Sequence, residues 1–239
     1  MSAWISDLPA RCVQAAALLA LSACAHLPDL PALPRIGLPD LALGDFGLIG
    51  GGSGPPPRRM AVAHGQVVID GPRGFCIDRE VSADQAGTSA LVVLSGCRAL
   101  GGGLFSPRPA HPALLTAAVA PLDRDIDLVA AAPMLERFFA SPAGRAALSR
   151  QGDAATVTIG EQRLEGDAWL IHLSDMAPFT WGEVQLAYWR ALLMLGGRMV
   201  TLSVLALPDR PLAPDQGLDL LRSFITSARM ATLDHSSAD

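Results

Sequence analysis

The sequence predicts an α+β fold, an antiparallel β-sheet with two or three helices packed on it. Three observations lead there. Segments that read as strands outnumber those that read as helices, and most connections between them are hairpin-like. Gly196-Gly197, flanked by two long apolar runs, is the clearest hairpin signal in the chain. The last long segment instead repeats Leu218, Leu221, Phe224 or Ile225, and Ala228 at helical spacing.

The elements follow in order. Val67-Val68-Ile69 opens the globular part as a strand entering a Gly71-Pro72 turn. Residues 74–77 form a second short strand, and 90–94, β-branched and continuously apolar, a third that is expected to be buried. A Gly101-Gly102-Gly103 loop runs to Pro112 and leads into a strand over 113–120. Residues 133–140 read as a helix with Leu135, Phe138 and Phe139 inward; Ser141-Pro142 then caps a short helix that ends near Gly152. Residues 155–159 and 162–164 flank Gly160-Glu161 as a hairpin turn, and 169–173 is the next strand. Residues 186–195 and 198–207 flank Gly196-Gly197, with a helix over 184–195 as the rival reading. Asp215 is the expected cap of the last helix, and 235–239 should fray.

The first 60 residues have a different character. A polar start ends in Arg11, a largely apolar run of about eight residues follows, and Leu21-Ser22-Ala23-Cys24 closes it. The run is far shorter than the ~18–20 residues of a spanning helix. The tetrad resembles a bacterial lipobox, the motif at which a signal peptidase cuts before the cysteine and lipid is attached to its sulfur. That resemblance implies removal of residues 1–23, acylation of Cys24, and a domain held on the bilayer by several acyl chains. Each buried methylene of such a chain contributes about 0.8 kcal/mol. Ala25, rather than aspartate, follows the cysteine, which by the same resemblance favours the inner leaflet of the outer membrane, facing the periplasm. Residues 24–59 then read as a tether. Leu-Pro recurs at Leu27-Pro28, Leu30-Pro31, Leu33-Pro34 and Leu38-Pro39, stiff and extended, before the Gly50-Gly51-Gly52 stretch and Pro55-Pro56-Pro57. The leucines also fit a segment lying on the membrane or on a partner. A single domain over 60–233 and a frayed tail over 234–239 complete the organisation.

Composition excludes several functions. The net charge is −5, with no basic patch, so nucleic acid is not an expected partner. No residue is a lysine, which removes the P-loop, PLP Schiff bases, lysine general bases and the Asp-Lys-Thr-Gly motif of phosphorylated transport pumps. No Gly-x-Ser-x-Gly elbow occurs in the domain, and no two of His26, His64, His111, His172 and His235 have zinc-ligand spacing. His26, His64 and His235 fall in tether or tail, and His172 reads as packed or surface. Asp123, Asp125 and Asp127 lack the glycine and terminal glutamate of a calcium loop and read as solvated, or as charge at the N-terminus of the next helix. No cofactor or metal is expected.

With Cys12 lost in the signal peptide and Cys24 acylated, Cys76 and Cys97 remain in an oxidising compartment and are expected to form a disulfide. If residues 75–78 and 91–97 pair antiparallel, the two cysteines face each other directly, about 4.5 Å apart at Cα. Metal ligation and a reactive thiol are the competing readings; no third ligand and no neighbouring histidine supports them.

The order hairpin, proline-containing loop and helix with Ser223-Phe224 resembles the C-terminal half of PsbP-like domains. That resemblance implies action by binding partners and carries over no functional residue. Trp181, Tyr188, Trp189 and Arg190 form the candidate recognition patch, since aromatic residues and arginine favour interaction hot spots. The bland reading places them in the core, with Arg190 paired to Asp175 or Glu183. The function expected is therefore a non-enzymatic, membrane-anchored binding module that meets the lipid bilayer through Cys24 and an unidentified protein or envelope component. A small-ligand-binding accessory to transport and a hydrolase with dispersed groups are the alternatives.

Overall fold

The computed structural model describes residues 54–85, 87–122, 126–179 and 182–237. Cys24 and the lipobox-like tetrad, most of the tether, and Asp123, Asp125 and Trp181 lie outside them. The described elements are β1 (Arg59–Val62), β2 (Val67–Asp70), β3 (Phe75–Ile77), β4 (Ala83–Gln85), β5 (Ser89–Gly96), β6 (Ala113–Ala120), α1 (Leu128–Ala140), α2 (Pro142–Leu148), β7 (Val157–Glu165), β8 (Ala168–Asp175), β9 (Ala187–Leu195), β10 (Arg198–Ala206) and α3 (Pro214–Ser236). This is an α+β fold: an eight-stranded sheet in the order β3-β5-β6-β10-β9-β8-β7, with β4 also on β5, and every pairing antiparallel.

Strand alternation gives the sheet two apolar faces. On one, Val92, Leu94, Leu115, Ala117, Leu193, Val200 and Leu202 meet Leu218, Leu221, Phe224, Ile225 and Ala228 of α3. On the other lie Ile171, Leu173, Tyr188 and Arg190, toward α1 and α2 with Leu135, Phe139 and Leu148 buried. Burial on both faces is why the central strands read as continuous apolar runs rather than alternating ones.

The β1–β2 hairpin is a separate two-stranded sheet that packs along α3. Thr232 Oγ1 accepts from Val68 N at 3.1 Å and donates to Val68 O at 3.2 Å, satisfying both backbone groups of that edge residue. The fold therefore starts at Arg59, before the strand at Val67. His64 sits in the β1–β2 turn, not in a tether, at φ +58°, with its ring against Gly87.

Several element boundaries differ from the sequence reading. The helix expected from Pro133 starts five residues earlier, because Asp127 accepts from Val129 N and Ala130 N and supplies the cap; Pro133 lies inside it. Ser141 caps α2 as expected, accepting from Gly144 N at 3.1 Å, but the helix ends at Leu148. Gly160-Glu161 is not a hairpin turn. β7 runs straight through it with a bulge between Ile159 and Gln162, and the chain reverses at Gly166-Asp167. The β9–β10 hairpin is as expected: Gly196 and Gly197 have φ of +54° and +72°, the left-handed pair such a turn requires. Asp215 does not cap α3. Ala213 is the N-cap and Pro214 opens the helix, while Gln216 Oε1 accepts from Ala213 N and Asp215 places charge in the first turn. The helix extends to Ser236, so His235 belongs to its last turn.

Cys76 and Cys97 form a disulfide with Cα atoms 4.7 Å apart. They do not face each other directly. Cys76 opposes Ser95, while Cys97 lies past the end of β5 and donates its N–H to Gly74 O at 2.9 Å. Between β3 and β4 the chain leaves the ladder, with Asp78 N and Ser82 Oγ bonding the backbone of Val93. This detour offsets the two cysteines.

Candidate functional site

Tyr188, Trp189 and Arg190 are consecutive on β9, so their side chains alternate between the two faces and cannot form one patch. All three are buried. The patch read from the sequence is thus corrected to two separate interior sites, and Trp181 lies outside the described residues.

On the α1–α2 face, Tyr188 and Arg190 belong to a buried polar cluster. Arg190 donates from Nη1 to Leu148 O at 2.9 Å, from Nε to Ser203 Oγ at 3.2 Å and from Nη2 to Tyr188 Oη at 3.1 Å. These are its partners, rather than Asp175 or Glu183. Asp175, fully buried, pairs instead with Arg150, whose Nε lies 3.4 Å from Asp175 Oδ2. Asp175 also accepts from Arg150 N and Ala177 N, each at 2.8 Å. The Arg150 guanidinium donates back to Asp175 O and Ala177 O. The two guanidinium carbons lie 5.7 Å and 5.4 Å from the Tyr188 ring centroid. Burial pushes the Tyr188 phenol above its ordinary value, against the pull of Arg190 and Arg150. The cluster offers no activated nucleophile: the phenol stays protonated and the carboxylate is saturated by its partners. Its chemistry is that of a clamp tying the end of α2 to β8 and β9.

On the α3 face, Trp189 donates from Nε1 to Pro214 O at 2.8 Å, and its ring centroid lies 5.0 Å from that of His172. Together with Gln185, Leu212 and Gly217 they line a mainly apolar pocket of about 60 Å³. Pockets for drug-sized ligands run to roughly 300–1,000 Å³, so this one fits a water or a small apolar group. Burial lowers the His172 pKa, opposed by Glu161, and holds the ring neutral at pH 7. Among the described residues, no group of three or more His, Cys, Asp or Glu is placed to hold a metal ion, and no helix is long and apolar enough to cross a membrane.

The third location is the loop that follows β5. Beyond the disulfide, Arg98 donates to the carbonyls of Leu104 and Ser106, Gly102 N donates to Cys97 O at 2.8 Å, and Ser106 N donates to Gly103 O at 2.9 Å. Leu104 is 82% exposed and Phe105 101% exposed at its tip. Two adjacent large apolar residues within a Gly/Pro-rich loop were the available signal; their exposure was not legible, because it depends on what packs over them.

The described residues thus form an α+β domain with a buried polar cluster around Tyr188 and an adjacent exposed apolar pair, Leu104 and Phe105, on a braced loop. No family model, curated protein or solved structure matches the chain.

Proposed function

We propose that this chain is a membrane-anchored envelope lipoprotein whose domain is a non-enzymatic binding module facing the periplasm. The observation that carries the reading is the Cys76–Cys97 disulfide. Such bonds persist in oxidising compartments, the destination that Leu21-Ser22-Ala23-Cys24 implies. The braced loop supports an interaction role, since adjacent solvated Leu104 and Phe105 gain by being covered. The PsbP-like order of hairpin, loop and Ser223-Phe224 helix supports the same class of activity. The partners are the bilayer, through acylated Cys24, and a further envelope component. The small pocket beside His172 gives no support to the ligand-carrier alternative.

Cross-linking in intact membranes followed by affinity recovery tests this function, with Cys24→Ser as control. A partner recovered reproducibly with the native chain and lost with Cys24→Ser is the expected result. Recovery of nothing reproducible, or of the same material from both chains, counts against a membrane-bound interaction module.

A further inference from the structure

We infer that the loop carrying Leu104 and Phe105 is a second membrane contact, in which the two side chains enter the headgroup region of an anionic bilayer and nearby arginines meet the phosphates. The inference rests on acylation of Cys24 to bring the domain to a membrane.

Four features of the loop point to a bilayer. The first is its apolar tip: Phe105 is fully exposed and Leu104 nearly so. The second is bracing. Arg98 grips the carbonyls of Leu104 and Ser106, the disulfide fixes Cys97, and Gly74 lies so close to the returning chain that a Cβ there would sit 2.4 Å from Pro109 N. The pair is thus held outward, so little further ordering opposes insertion.

The third feature is charge. The chain as a whole is acidic, yet no Asp or Glu occurs between Asp84 and Asp123, while Arg98 and Arg108 do. Arg73 adds a further cation next to Gly74, whose backbone abuts Arg108 and Pro109. Arginines beside an apolar tip match an anionic lipid surface, where they can lay their stems along acyl chains and keep their heads at the phosphates.

The fourth is position. The segment that leads from Cys24 joins the domain at this same edge of the sheet: Pro57 O accepts from Ile77 N at 2.7 Å, and Arg58 O accepts from Gly71 N at 3.3 Å. Those acceptors and donors flank the Gly71-to-Gly74 turn that supports the loop. Chain continuity between this edge and the proposed lipid at Cys24 favours a bilayer over a protein as the occupant. Membrane association that combines acyl chains with a basic, apolar contact also follows the general pattern in which two signals act together.

The test uses the full acylated chain reconstituted in vesicles of phosphatidylethanolamine and phosphatidylglycerol. A photo-cross-linking benzoylphenylalanine is placed at position 105 or, as control, at Met176, an exposed residue following β8 toward the opposite edge of the sheet. The expected result is phospholipid adducts several-fold more abundant at 105 than at 176, falling when phosphatidylglycerol is replaced by phosphatidylcholine. Equal labelling at the two positions, adducts to protein alone, or indifference to the anionic lipid overturns the inference. The intact mass of the same sample reports acylation separately. An acylated chain without lipid adducts at 105 sinks the loop contact and leaves the anchor standing, whereas an unacylated chain sinks the anchor.

Discussion

Replacing Asp175 by alanine should be among the most damaging single changes in the domain. The side chain is fully buried and supports three groups at once: Arg150 N, Ala177 N and the Arg150 guanidinium. Two buried amides lose their acceptor, at roughly 1–3 kcal/mol each, and a buried cation loses its counter-charge, a change that costs about 3–5 kcal/mol. These contributions overlap, so the expected loss is about 4 kcal/mol. The direction is reinforced by Arg190, whose guanidinium flanks the same Tyr188 ring, so that Arg150 would share the ring with a second cation and no longer have its carboxylate. Arg150→Met should cost somewhat less, about 3 kcal/mol, because the buried Asp175 carboxylate loses its counter-charge but keeps both backbone donors. Urea unfolding of the mature chain followed by tryptophan fluorescence measures all three variants, including the double one, whose loss should fall short of additivity by about 1–3 kcal/mol. A loss below about 1 kcal/mol for Asp175→Ala, or a larger one for Arg150→Met, would refute the clamp.

Serine at both Cys76 and Cys97 should lower stability by about 3 kcal/mol, as expected for closure of a loop with a separation of 21 residues, and should raise proteolysis around Leu104. His172 is held below its ordinary 6.5 by burial, so the folded chain binds fewer protons than the unfolded one. Its stabilising contribution is complete above pH 6.5 and is lost as pH falls toward the lowered value; His172→Gln should flatten the pH dependence of unfolding there. Glu165 is held below its usual range chiefly by its hydrogen bonds to Arg222, which donates from Nε and Nη2 at 2.8 Å each. That contribution is present above pH 4.5 and fades as pH falls through the lowered value. Because the pair is exposed, Arg222→Ala should cost only about 0.2–1 kcal/mol, and less in high salt, as thermal unfolding at two ionic strengths would show.

Where local chemistry permits one solution, the sequence was a reliable guide. Gly196-Gly197 can form a left-handed two-residue turn that other residues resist, and Ser141-Pro142 suits a helix start. Gly160-Glu161 misled because glycine serves a bulge as well as a turn, and only strand pairing distinguishes them. The start of α1 was hidden because Pro133 is itself a plausible first helical residue, while the cap lies at Asp127. Tyr188, Trp189 and Arg190 looked like a cluster because they adjoin in sequence; a strand sends neighbours to opposite faces. Arg150 and Asp175 meet across 25 positions, so their pairing comes from the fold bringing the turn after α2 to the end of β8 and leaves no local trace. The sequence offers Asp175 or Glu183 as partner for Arg190, but the fold pairs Asp175 with Arg150 and gives Arg190 the Leu148 carbonyl, Ser203 and Tyr188.

The proposed acylation of Cys24 is the central claim of the functional account, and intact-mass and N-terminal peptide analysis of the protein extracted from membranes tests it most directly. The expected result is a chain beginning at Cys24 and bearing a diacylglycerol on its sulfur, with Cys76 and Cys97 free of thiol label. A chain that retains residues 1–23, or one that begins at Cys24 without lipid, would contradict the account.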